Sequence, residues 1–308
     1  MPKIQIIGDI INNAYARARK AFEARDLTGY QHLAKFQVQK GAAAIDINID
    51  GTQRIMVRQP EMLEFLPKLV PALQAATDVP LCFDNPSLAY HRTALASFDR
   101  SKSRGKPILN SLAASRTELA GMMELIREHD MRCIVMASEK FLPNGGSAQS
   151  FSAEEGHETV RRFVELLAEK ANRTLDDIIV DPGLAPVGAD TYGLVRIGLD
   201  TMRLVTADPQ LKGIHFSVGL SNFAWGTPKA IKPLLEAAYL TLGARVGLDM
   251  ALANVEHVTG PLPEDHPLVA QLESALQLAR PAEGESVEAA GFRQAALIME
   301  LCAPYIEE

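Results

Sequence analysis

Disulfide and metal signatures are what this sequence most lacks. Its 308 residues include three cysteines, Cys82, Cys133 and Cys302, far apart and outside any C-x-x-C pattern or Cys/His cluster. An odd, sparse set excludes a disulfide framework and points to a reducing, cytoplasmic setting. Cys82 and Cys133 lie in apolar runs and read as small buried hydrophobes. His32, His91, His129, His157 and His215 show no ligand spacing, so no bound metal is expected. The N-terminal MPKIQIIGDI lacks a signal-peptide apolar region with a cleavage site. No run approaches the roughly 18 apolar residues of a membrane span. Basic stripes are also missing and the formal net charge is -7, which argues against nucleic-acid binding. There is no G-x-G-x-x-G turn, the mark of a dinucleotide-binding open sheet.

What is present is a repeated rhythm: a short β-rich run, a polar or Gly-containing turn, then a stretch of helical period. The strands expected are Lys3–Ile7, Ala43–Asn48, Pro80–Phe83, Lys106–Leu109, Arg132–Met136, Ile178–Asp181, Ile214–Val218 and Arg245–Met250. Between them lie helical stretches such as Gly29–Gln39 and the one carrying Met62, Leu63, Leu66, Leu69 and Val70 on one face. Ser87, Ser115 and Ser152 are expected helix caps, the last two with Glu118 and Glu155 as capping boxes. Pro228 is expected in the first turn of the seventh helix.

Eight βα units in about 250 residues fit a (β/α)8 TIM barrel better than the alternative, a doubly wound sheet. The barrel is assigned residues 1–260. Residues 261–308 form an additional C-terminal helical segment. One of its helices is expected to complete the eighth unit; the other is extra, and is expected to do no more than pack, or else to cover the barrel bottom or contribute a dimer contact.

The strands end alike. IIVDPGLAP closes an apolar run on Asp181, followed by Pro182 and a turn at Gly183. Asn12, Asp46 and Asn48, Asp84, Asn110, Asn222 and Asp249 occupy comparable places in other units. In a barrel the carboxyl ends of all strands meet on one face, where the chemistry sits. A single such residue is as well explained as a turn or helix cap; seven units with one are harder to explain so. Three or four carboxylates suggest a hard cation, but the amides exceed what one needs and no phosphate cradle is visible. Carboxylates accept two parallel N–H bonds, and amides both donate and accept. The mix suits a flat, nitrogen-rich heterocycle such as a pterin.

The motifs IIGDIINN, GAAAIDINIDG, LCFDN, GKPILNSL, IIVDPGLAPV and VGLSNFAWGTP run in order from Ile6 to Pro228. Together they resemble the methyltetrahydrofolate–corrinoid protein methyltransferases, within the pterin-binding barrel superfamily that also contains dihydropteroate synthase. The resemblance implies that Asp84, Asn110 and Asp181 grip the pterin edge, with Asn12, Asp46 and Gly219 around the ring. It implies that Asn222 approaches N5, and that Asn222 and Asp181 serve the chemistry. The substrate implied is tetrahydrofolate or 5-methyltetrahydrofolate. The corrinoid (cobalamin) is implied to arrive on a partner corrinoid protein, since no D-x-H-x-x-G carrier motif is present. A homodimer is implied as well.

The chain departs from the pattern at Ile10, where Arg is common, and at Asp50, which displaces a Gly. Two competing readings remain. One is a dihydropteroate synthase, whose Ser-Arg-Lys and Arg-x-His signatures are missing; the other is a non-catalytic pterin binder. The loop Ser138–Ser152 reads as a lid, a docking surface or a mobile insertion. Trp225 and Phe223 either edge the mouth or pack their loop.

Overall fold

A computed structural model describes residues 3–258 and 260–306. The strands are β1 (Gln5–Asn12), β2 (Ala44–Asn48), β3 (Leu81–Asp84), β4 (Ile108–Leu112), β5 (Arg132–Met136), β6 (Glu139–Phe141), β7 (Ser147–Gln149), β8 (Ile178–Asp181), β9 (His215–Phe216) and β10 (Met250–Ala253). The helices are α1 (Ala16–Glu23), α2 (Leu27–Gln39), α3 (Gln59–Ala76), α4 (Leu88–Ala96), α5 (Leu119–Glu128), α6 (Ala153–Ala171), α7 (Leu194–Ala207), α8 (Leu220–Phe223), α9 (Lys232–Ala244), α10 (Pro267–Gln277) and α11 (Val287–Cys302).

Eight strands form one parallel sheet in the order β10-β1-β2-β3-β4-β5-β8-β9. The two end strands also meet: Leu252 N–H donates to the Val218 carbonyl at 2.9 Å, and Gly219 bridges to Leu252. The sheet is thereby a nearly closed TIM barrel with helices outside.

Strand period then sets what faces inward. Ile7, Ala44, Cys82, Ile108, Ile134, Ile179 and Met250, one from each of seven strands, pack together as an apolar plug inside the barrel. Successive side chains alternate faces, so the residue two positions on shares that interior. Those residues are Asp9, Asp46, Asp84, Asn110, Met136, Asp181 and Leu252. A polar layer therefore sits directly above the plug. A second, larger apolar cluster lies between the strands and the helices, including Leu66, Leu69, Phe163 and Val205.

Several expectations need correction. A helix at Ala16–Glu23 precedes the expected one, separated from it by a turn at Asp26, whose carboxylate accepts from Gly29 N–H. Ser152 caps α6 by accepting from Glu155 N–H at 3.2 Å, but Ser115 caps nothing. Helix α5 starts only at Leu119, and Ser115 N–H instead donates to Glu139. Ser138–Ser152 is not a plain loop, because β6 and β7 pair in it as an antiparallel hairpin. The proline in the first turn of α9 is Pro233; Pro228 sits upstream, its carbonyl accepting from Ile231 N–H.

Strand eight starts at Met250 rather than Arg245. Residues Arg245–Leu248 are consumed in ending α9, with Gly247 at φ 102° and Leu248 N–H returning to the Gly243 carbonyl. Asp249 consequently precedes its strand and lies at the opposite, amino-terminal face. There it accepts from Phe216 N–H and pairs with His215, which also meets Asp176. The residue that follows β10 is Asn254.

The C-terminal helices are present. Helix α10 packs on α9 and α7, pinned by Arg245–Glu273 and Arg280–Asp200 ion pairs. Helix α11 packs on α10 and on residues 187–191 beyond the carboxyl end of β8, with Gln294 Nε2 donating to the Asp190 carbonyl. It thus flanks the upper loops and does not cover the barrel bottom.

Candidate active site

The polar layer forms a connected network. Strands β2, β3 and β4 run in register, with Asp46 opposite Cys82 and Asp84 opposite Asn110. Asn48 Nδ2 donates to Asp84 Oδ2 at 2.8 Å, and Asn110 Nδ2 to Asp46 Oδ1 at 3.4 Å. Asp46 is fully buried, and its second oxygen has no partner among the described residues. Burial, reinforced by the neighbouring Asp84, raises its pKa well above the usual carboxylate range. Asp84 is raised too, first by burial; Asn48 and the guanidinium of Arg116 pull the other way. An unpaired carboxylate in such a place keeps its proton or awaits a donor.

Asp181 closes β8. Its Oδ1 accepts from Gly183 N–H at 2.7 Å. Gly183 has φ 80°, and a Cβ there would meet Ser138 Cβ at 2.6 Å, so this turn is built for glycine. Burial pushes Asp181 up to about 6, helped by the charge of Asp84. Asp181 also lines a cavity of about 280 Å³ with Ser138, Gln149, Ser150, Gly219 and Asn222.

Asn222 lies in the short helix α8 beyond β9, with its N–H donating to the Gly219 carbonyl at 3.1 Å. It is exposed toward the open end of the barrel. A Cβ on Gly219 would stand 3.1 Å from Asn222 Nδ2, so the glycine leaves room for that amide. Phe223 is buried against Tyr239, ring centroids 4.8 Å apart, whereas Trp225 is exposed. Trp225 borders a groove of about 860 Å³ that runs to Met299 and Ile306 beside α11.

Of the residues singled out in the sequence, Asp46, Asp84, Asn110 and Asp181 share the inner layer, and Gly219 and Asn222 join Asp181 at one cavity. Asn12 stands beside Asn48 at the tip of β1, but its Oδ1 accepts from Ala14 N–H at 2.8 Å, as a turn residue does. Asp249 is excluded by position. Asp9, Tyr15 and Ser221 were missed. The available signal for Asp9 was an acid inside the apolar run Ile6–Ile11. Among the described residues, no group of three or more His, Cys, Asp or Glu is placed to hold a metal ion.

The family described as pterin binding enzyme matches residues 8–254, from β1 to the residue after β10. This chain belongs to the pterin binding enzymes. That span includes β1 from Gly8 onward, the other seven barrel strands whole, and every residue of the polar layer. This pterin binding enzyme is 27% identical over 248 residues to the methylcorrinoid:tetrahydrofolate methyltransferase of Eubacterium limosum, covering 80% of this chain and 83% of that one. It is 22% identical over 265 residues to the methionine synthase of Mycobacterium tuberculosis, covering 83% of this chain but only 21% of that longer protein. Among solved structures it resembles Xanthomonas albilineans dihydropteroate synthase in complex with indole-2-carboxylic acid and 6-chloroguanine, with a TM-score of 0.56 and 14% identity over 89% of this chain and 92% of that one. A sulfonamide complex of the Yersinia pestis dihydropteroate synthase gives 0.56 and 17%, over 89% and 95%. At these identities the structural likeness speaks to fold. Among the described residues no helix is long and apolar enough to cross a membrane.

Proposed function

We propose that this enzyme moves a methyl group between a corrinoid carried by a partner protein and N5 of tetrahydrofolate. The observation that carries the reading is the polar layer of Asp46, Asp84, Asn110 and Asp181 above an apolar plug, with Asn222 at its open side.

The donor set fits a pterin head group. Asp46 Oδ1, Asp84 Oδ2 and Asp181 Oδ1 are each held by a protein N–H. The unpaired Asp46 Oδ2 leaves the layer with acceptor capacity to spare. An amino-pyrimidinone edge offers adjacent N–H donors of the complementary kind. In this reading Asp84, Asn110 and Asp181 hold that edge, while Asn12, Asp46 and Gly219 shape the pocket around the ring.

The corrinoid, when docked, supplies or accepts the methyl group. The chain's own residues manage N5. An N5-methyl tertiary amine is a poor donor, because its C–N electron pair must return to nitrogen as the methyl leaves. A proton on the N5 lone pair makes N5 cationic, so that the returning pair leaves a neutral amine instead of an amide anion. The Asn222 carbonyl accepts from protonated N5 and favours that form as the bond breaks. In the opposite direction the same amide orients the neutral lone pair toward the methyl carbon, and the N5 proton is then released. Asp181, near 6, can take up and return a proton around neutral pH. Holding the two centres in line accounts for the rest.

The same reading places the enzyme in the cytoplasm as a homodimer, with residues 1–260 as the catalytic barrel and 261–308 as helices that contribute to the dimer contact. The test is spectroscopic: mix the protein, tetrahydrofolate and methylcobalamin, and follow loss of methylcobalamin with appearance of cob(I)alamin. Condensation of p-aminobenzoate with a pterin pyrophosphate, or folate binding with no methyl exchange, would replace this reading.

A further inference from the structure

We propose that Asp9 is a positioning residue, which fixes Asn222 by accepting the hydroxyls of Ser221 and Tyr15 across the closing seam of the barrel. The inference rests on the reading above, in which Asn222 meets N5.

Strand β1 carries a bulge. Gly8 pairs with Ile45 but Ile11 pairs with Ile47, so two residues of β1 face one of β2. The freed Ile10 N–H is satisfied by Gln37 Oε1 at 3.0 Å, and Gly8 is the residue that lets Gln37 approach, since a Cβ there would stand 2.4 Å from Oε1. Asp9, already turned inward two residues beyond Ile7, is buried, 5% exposed, with both oxygens occupied. Ser221 Oγ donates to Oδ2 at 2.5 Å, and Tyr15 Oη lies 3.2 and 3.1 Å from Oδ1 and Oδ2. Tyr15 Oη and Ser221 Oγ are themselves 3.4 Å apart.

This clamp crosses the place where the sheet is weakest. Strand β9 has only two residues, and just beyond it the seam with β10 is closed by the Leu252–Val218 hydrogen bond and the Gly219–Leu252 bridge. Ser221 precedes Asn222 in α8, a helix of one turn that cannot hold itself. A hydrogen bond to a buried carboxylate is stronger than one between neutral groups. Asp9 therefore holds the Asn222 backbone in place from the far side of β10. The charged and titratable groups facing Asp9 are Tyr15 and Ser221 of the clamp, Asp46 on β2, Glu236 on α9 and His257 beyond β10. None of them is a cation in contact that would replace the hydroxyl donors.

The test uses Ser221→Ala and Asp9→Asn in the full chain, with Ser221→Thr as the variant that keeps the hydroxyl. Three quantities are read: the Asn222 side-chain amide resonance in ¹⁵N-asparagine-labelled protein, tetrahydrofolate affinity, and methyl transfer from methylcobalamin. The expected result is a shifted or broadened Asn222 amide in the first two variants. Transfer falls roughly ten- to a hundredfold, folate affinity stays within about twofold, and Ser221→Thr restores both amide and rate. An unmoved Asn222 amide in Ser221→Ala and Asp9→Asn overturns the proposal, whatever the activity. Equal losses of folate affinity and rate overturn it too, by making Asp9 a determinant of binding. A wild type that moves no methyl group sinks the functional reading instead, while the amide resonance still decides the clamp. Should Asp9→Asn fail to fold, Ser221→Ala alone separates these outcomes.

Discussion

Asn48 reaches from the tip of β2 to Asp84 at the tip of β3, Nδ2 to Oδ2 at 2.8 Å. One oxygen of Asp84 is thereby fixed, and the carboxylate plane is set for the interior of the barrel. A side chain that looks like a spectator thus decides how the neighbouring acid presents itself.

Asn48→Ala should weaken tetrahydrofolate binding by about 1.5–3 kcal/mol, the range for hydrogen bonds to charged groups. Calorimetric titration measures this directly. Unchanged affinity would remove Asp84 from the folate site.

Asn222→Ala should separate binding from chemistry. Loss of a donor or acceptor placed for a developing charge lowers turnover roughly 10²–10³-fold. Folate affinity should change by less than about threefold, because the pterin edge is held elsewhere. The check is single-turnover methyl transfer alongside equilibrium binding. Matching losses would reduce Asn222 to a ligand contact.

Gly219→Ala should mimic a milder form of that defect. Gly219 has φ -74°, which any residue adopts, so the backbone is not strained. The added methyl would lie 3.1 Å from Asn222 Nδ2 and displace the amide. Turnover should fall about tenfold, with melting temperature nearly unchanged. A large loss of stability would mean that Gly219 serves closure of the barrel and not the amide.

Asp181→Asn should stabilise the folate-free protein in alkali. The carboxyl of Asp181 is raised from 3.8 to about 6 by burial. A raised acid favours folding while it carries its proton. That contribution is complete below the unfolded value and is lost as pH rises through the folded one. Ionisation of Asp181 therefore destabilises the fold by up to about 3 kcal/mol at neutral pH and above. The amide cannot ionise and still accepts from Gly183 N–H. Urea melts of both proteins should coincide near pH 4 and diverge by about that amount near pH 8. Equal stabilities at both would show that Asp181 is not buried as an acid.

The sequence alone determined what is local. Short apolar runs ending on Asp46, Asp84, Asn110 and Asp181 were legible as strand tips, because strand period and turn residues act over a few positions. The eight-fold βα rhythm follows from the same signals, and so does the kind of ligand the tips would suit. Only the tertiary structure decided the rest. Asp249 fell to the wrong end of the barrel because the termination of α9 took its expected strand. Asp9 became part of a cross-barrel clamp because closure of the sheet brought Ser221, 212 residues away, to the inner face that Asp9 already occupied. Helix α11 settled beside the upper loops because residues 187–191 offered it a surface. Each of these outcomes depends on contacts between segments distant in the chain, and no short window of sequence contains both partners.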